Sequence, residues 1–143
     1  MSLLLLSRLP RRLPPSLPPS PRPVCHFSAF SEGAFHAVAS AFLESVQDAC
    51  DVLDDAHPEA GVDSSYASGV LNIRLGERGT WVINKQAPNR QIWYSSPISG
   101  PARFGFEGGR WVHTREGVEI GELFGREVRE ATGLDIELEE PQA

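Results

Sequence analysis

The chain has 143 residues, 41% of them apolar and 22% charged, enough for one domain with a modest core. Its formal net charge of −6 hides a division: residues 1–31 hold four arginines and no acid, whereas from Glu32 onward nine Lys or Arg face all 19 acids, a net of −10. A body this acidic disfavours nucleic acid and favours cations or basic proteins, and no run approaches the roughly 20 apolar residues of a membrane span.

Residues 1–31 are rich in Arg, Ser, Leu and Pro, with seven of the twelve prolines between Pro10 and Pro23. That composition builds no packed element, and an acid-free, Arg-bearing start has the character of an organelle transit peptide. A tail without an address is the alternative. The folded part is expected over residues 32–133, with an acidic C-terminal tail over 134–143. Cys25 and Cys50 form no CxxC pair, so neither a disulfide framework nor a thiolate metal site is expected, and a reducing compartment fits.

Phe35, Val38, Ala39, Phe42, Val46, Ala49, Cys50 and Leu53 recur at helical spacing, which predicts a helix over 35–55 that stops before His57-Pro58. Glu44, Asp48, Asp51 and Asp55 fall 4, 3 and 4 apart, one row along its other face. Like charges so placed cost about 0.2–0.5 kcal/mol per pair, and at the C-terminal end they oppose the helix dipole. The row suits hard cations such as Fe²⁺, Fe³⁺, Mn²⁺, Mg²⁺ and Ca²⁺, bound weakly because one helix face cannot enclose an ion; a solvated face that serves solubility is the plainer reading.

After Gly69 the period becomes two. Leu71, Ile73 and Leu75, then Trp81 and Ile83, then Ile92 and Tyr94 alternate with polar residues, and turn signals at Gly76–Gly79, Pro88-Asn89, Pro97–Pro101 and Gly108-Gly109 separate the runs. Four or five antiparallel strands follow. A second helix over 119–131 has the apolar stripe Ile120, Leu123, Phe124 and Val128, and Gly133 stops it. Two one-striped helices and a one-faced sheet predict an α+β fold, a two-layer sandwich with both helices on one face of an antiparallel sheet. Trp93 then points to water with Asn72, Arg74, Val82, Asn84, Gln86 and Gln91, as a residue that anchors an interface would.

No catalytic constellation emerges. The four histidines make no HxxxH or HExxH, and there is no GxSxG, Walker loop or GxGxxG.

The run "SYASGVLNIRLGERGTWVINKQAPNRQIWYSSPISGPARF" (65–104), the following "WVHTREGVEIGEL" (111–123) and the acidic helix before them closely resemble the frataxin family. The resemblance covers about residues 35–131. It implies an iron-binding regulator or iron chaperone that promotes iron–sulfur cluster assembly on the cysteine desulfurase–scaffold complex in the mitochondrial matrix, a chloroplast pool being the other destination. It also implies roles in iron homeostasis and haem synthesis with ferrochelatase as a partner, and, as the alternative function, a ferroxidase and iron store oxidising Fe²⁺ to Fe³⁺. Such a protein works as a monomer or an iron-dependent oligomer, without nucleic acid or membrane. Carried over by position, the weakly held iron falls to Glu44, Asp48, Asp51, Asp55 and Asp63, and the partner contacts to Asn84, Gln86, Trp93 and Arg103. Departures from the family are Ala49 and Cys50 in place of bulkier residues, Glu119 where a Ser cap is usual, and "RFGFEGG" without the usual acid and Trp.

Overall fold

The computed structural model describes residues 30–139. The first helix, α1, spans Glu32–Ala56. Ser31 caps it, its hydroxyl accepting from the Ala34 N–H at 3.1 Å, and Phe35, Ala39, Phe42, Leu43, Val46, Cys50 and Leu53 make the buried stripe. The chain leaves the helix at His57, whose N–H reaches back to the Leu53 carbonyl, and Pro58 prevents continuation.

Six strands follow: β1 Val62–Ala67, β2 Val70–Leu75, β3 Thr80–Gln86, β4 Gln91–Ser96, β5 Gly100–Glu107 and β6 Arg110–His113. They form one antiparallel meander in chain order. The helix α2, Ile120–Thr132, closes the fold. Its Glu119 cap makes no side-chain hydrogen bond, while Gly133 ends it in the left-handed conformation at φ 74°. The expected two-layer sandwich is therefore present, with six strands rather than four or five. The strand missed is β1, because "VDSSYA" has a single strongly apolar residue at its start; its partners Val62↔Leu75, Ser64↔Ile73 and Tyr66↔Leu71 supply the alternation that its own sequence shows only faintly.

The core lies between helices and sheet. Leu71, Ile73, Leu75, Trp81, Ile83, Ile92, Tyr94, Phe104 and Trp111 face it from the strands, against the α1 stripe and Ile120, Leu123, Phe124 and Val128 of α2. One charged side chain joins them. Glu127 is 2% exposed, and its Oε2 accepts from Trp81 Nε1 at 2.8 Å and from the Tyr94 hydroxyl at 2.5 Å, so a single carboxylate fastens α2 to β3 and β4. Its Oε1 is buried with no hydrogen-bond partner.

The folded unit is longer than the sequence suggests. Phe30, expected within the N-terminal address, stacks on Phe106 with ring centroids 5.2 Å apart and meets Phe35 edge-on. Past α2, Leu134, Ile136 and Leu138 pack on the core while Asp135, Glu137 and Glu139 face water. The first part of the expected acidic tail is thus an extended strap with one apolar edge, pinned by an Arg129–Asp135 ion pair. The rest of the N-terminal segment and of the tail lies outside the described residues. No helix among those described is long and apolar enough to cross a membrane.

Glu127 gives a stability prediction. Burial pushes its carboxyl up, but the polar groups of Ser99, Tyr94, Trp81 and Ser96 together outweigh it and hold the group below the ordinary carboxylate range. A carboxyl lowered in the folded state contributes stability above its unfolded value, and that contribution is lost as pH falls through the folded one. Glu127→Ala strands the Trp81 N–H and Tyr94 O–H in the core and should cost about 3 kcal/mol or more in urea unfolding at neutral pH. The gap to wild type should narrow below about pH 4; a gap independent of acid would show that the charge does not matter.

Candidate functional site: an uncovered sheet face and an acidic helix row

Because strand side chains alternate, every strand that feeds the core also presents a second set of residues to the uncovered face. At the middle of that face Asn84, Trp93 and Arg103 stand in register on β3, β4 and β5. Gln86 pairs with Gln91 one step along the same face, and Gln91 in turn stands opposite Gly105. Trp93 is half-buried by these neighbours. The Arg103 guanidinium lies over its ring, 4.8 Å from the centroid, and its indole N–H donates to Gln91 Oε1 at 3.4 Å. The ring is thereby held by its neighbours, as a preformed contact surface that loses little side-chain freedom on binding.

Asn84, Gln91, Trp93 and Arg103 also line one wall of an open hollow of about 680 Å³, completed by the turn His113–Glu116. The turn is built by His113, whose Nδ1 accepts the backbone N–H groups of Arg115 and Glu116, each at 3.0 Å. That places the ring proton on Nε2. Thr114 ties the turn to β5 by donating to the Arg103 carbonyl at 2.9 Å. Sequence reasoning missed this turn; "WVHTREG" shows a strand ending at a Gly, but not that the histidine accepts from the two residues after it.

The acidic residues occupy a different surface. Glu44, Asp48, Asp51 and Asp55 are all exposed along α1. Asp51 Oδ1 accepts from the Ser64 hydroxyl at 3.1 Å, which joins the row to β1. Asp63 is separated from the row: it stands on β1 opposite Arg74 and pairs with it at 3.4 Å. Among the described residues no three His, Cys, Asp or Glu side chains converge to hold a metal ion. A cation on such an open row would meet one or two carboxylates and take water in its remaining positions. Cys50, beneath the row, adds no ligand: burial and the neighbouring Asp51 push its thiol up to about 12, so it stays protonated and apolar.

Comparison with known proteins agrees with the fold. The frataxin-like domain family matches residues 28–134. The chain is 40% identical over 106 residues to the mitochondrial frataxin of Dictyostelium discoideum, covering 73% of this chain and 55% of that protein. It is 40% identical over 109 residues to that of Caenorhabditis elegans, covering 74% and 80%. The chain thus spans little more than half the length of several curated relatives. Among solved structures, a trimeric frataxin from Saccharomyces cerevisiae complexed with ferrous iron superposes with a TM-score of 0.62 at 38% identity, over 68% of this chain and 87% of that one. A frataxin from Psychromonas ingrahamii, 18% identical with a TM-score of 0.53, shares the fold. With the domain match spanning most of the described residues, and two helices packed on an antiparallel sheet as in those structures, the chain belongs to the frataxin family.

Proposed function

We propose that this chain promotes iron–sulfur cluster assembly by docking its uncovered sheet face on a cysteine desulfurase–scaffold complex. The observation that carries the reading is the Asn84–Trp93–Arg103 row, a prealigned aromatic flanked by polar side chains, in the middle of a sheet face that no element among the described residues covers. Trp and Arg dominate interface energetics when they are held rigid and desolvated by a partner, and Gln86 and Gln91 supply hydrogen-bonding groups beside them.

The acidic row has the second role. Glu44, Asp48, Asp51 and Asp55 present ferrous iron as cargo, or meet a basic surface of the complex once the sheet face has docked. An open row fits delivery better than storage, because an ion held by one or two carboxylates and water leaves readily. Asp63, on β1 and paired with the exposed Arg74, is the fifth carboxylate assigned to iron in this reading. The ferroxidase reading needs carboxylates gathered around a reacting iron, and the spacing of the row along α1 favours delivery over it. Several relatives are named mitochondrial frataxins; a mitochondrial matrix location for this chain, addressed by the N-terminal segment 1–31, is part of the same reading, as are contributions to iron homeostasis and to haem synthesis through ferrochelatase.

Two variants separate the surfaces. Trp93→Ala should keep the fold, since the core-facing set is untouched, and lower affinity for the purified complex by about 30-fold or more, the scale of an anchor residue. Its stimulation of cluster synthesis should fall in parallel; an unchanged rate would contradict the docking role. The combined Glu44→Gln, Asp48→Asn, Asp51→Asn and Asp55→Asn variant should gain about 1 kcal/mol of stability by relieving three like-charge neighbours, while its iron binding by calorimetry falls. Unaltered iron binding in that variant would remove the row from the mechanism.

A further inference from the structure

The hollow beside Trp93 has a chemical character at odds with the rest of the molecule. The sequence from Glu32 onward carries a net charge of −10, yet the charged residues that line this hollow are Arg103, Arg115 and Glu116. Among the described residues Arg74, Arg110 and Arg129 are matched with Asp63, Glu119 and Asp135, Arg78 donates to the Ala60 carbonyl, and Arg90 and Arg126, though exposed, are not among the residues lining the hollow. Arg103 and Arg115 are exposed and make no ion pair among the described residues. Two unmatched guanidinium groups thus border one concave surface of an acidic protein. The Arg103 guanidinium lies over the Trp93 ring, and the backbone of Arg115, from which its side chain extends into solvent, is fixed by its hydrogen bond to His113 Nδ1.

We propose that this hollow is a clamp for a carboxylate side chain of the docking partner, seated between Arg103 and Arg115 beside the Trp93 ring. The inference rests on the docking reading above and adds the chemistry of the occupant. A guanidinium stacked on an aromatic face keeps its in-plane N–H donors free at the edge, the geometry that grips a carboxylate through two parallel hydrogen bonds. Gly105, across the strand pair from Gln91, leaves the neighbouring space open: a Cβ built there would meet nothing within 4 Å. Glu116 is the opposing element. Its charge on the same turn repels a carboxylate, so the clamp selects partners that place their acid on the Arg side of the hollow.

The test is the affinity of the chain for the purified desulfurase–scaffold complex, measured by surface plasmon resonance at about 50 and about 300 mM salt, where screening differs strongly. The clamp predicts that Arg115→Gln weakens binding about tenfold at low salt and clearly less at high salt, the behaviour of a charged contact at an interface. Arg115→Lys, which keeps the charge but loses the fork, should recover part of the loss, and Glu116→Gln should bind more tightly than wild type. Trp93→Ala should bind poorly at both salts. If Arg115→Gln and Glu116→Gln bind as wild type while Trp93→Ala fails, the clamp is wrong and the docking face stands. A loss in Arg115→Gln that does not change with salt also overturns the clamp, because the acceptor would then be a neutral carbonyl. Wild-type binding by Trp93→Ala would bring down the docking face itself.

Discussion

A sheet covered on one face only imposes a division of labour on every strand. In β3 the core takes Trp81 and Ile83 while Val82, Asn84 and Gln86 face outward, and β4 repeats the pattern with Ile92 and Tyr94 inside and Gln91 and Trp93 outside. A one-residue slip would send Trp93 into the core and Tyr94 into water, so the hydrophobic set that stabilises the fold also fixes which residues can meet a partner. The outward row Asn84–Trp93–Arg103 is a consequence of register, and register is a consequence of burial on the other side.

Glu127 reinforces that coupling from within. Its carboxylate joins α2 to Trp81 and Tyr94, one residue from Val82 and one from Trp93 respectively. A buried carboxylate is costly unless its hydrogen bonds are made, so its presence ties the position of α2 to the position of the two strands whose opposite faces carry the docking row. The acidic row on α1 answers to a looser constraint. It is exposed and like-charged, and the core does not require its spacing, which leaves its chemistry free to serve cations or a basic partner.

Much of this was legible in the sequence because the signals were periodic. The α1 stripe, the core residues of β2 to β4 and the outward position of Trp93 follow from spacings of 3.6 and 2. The parts that were not legible share a physical reason: they depend on contacts far apart in the chain. The strand β1 is defined by its pairing with β2 rather than by its own composition. The strap 134–139 reads as acidic because Asp135, Glu137 and Glu139 alternate with the apolar residues that dock on the core. Glu127 sits seven residues after Ile120 and three after Phe124, within the apolar stripe of α2; a charge in that position signals a buried partner, but Trp81 and Tyr94 are 46 and 33 residues away. Asp63, grouped with the acidic row by resemblance, stands on β1 and pairs with Arg74 across the strand.

The central claim is that the uncovered face, and not another surface, meets the assembly complex. The chain reports on this through its three tryptophans, since Trp81 and Trp111 are buried in the core and Trp93 alone lies on the outer face. Fluorine NMR of the 5-fluorotryptophan-labelled chain, titrated with the unlabelled desulfurase–scaffold complex, reads all three sites at once. The account predicts that the Trp93 resonance, assigned by its loss in Trp93→Ala, shifts on docking and loses its sensitivity to solvent isotope, while Trp81 and Trp111 keep their shifts. A complex that forms with the Trp93 resonance unmoved and still solvent-sensitive would contradict it.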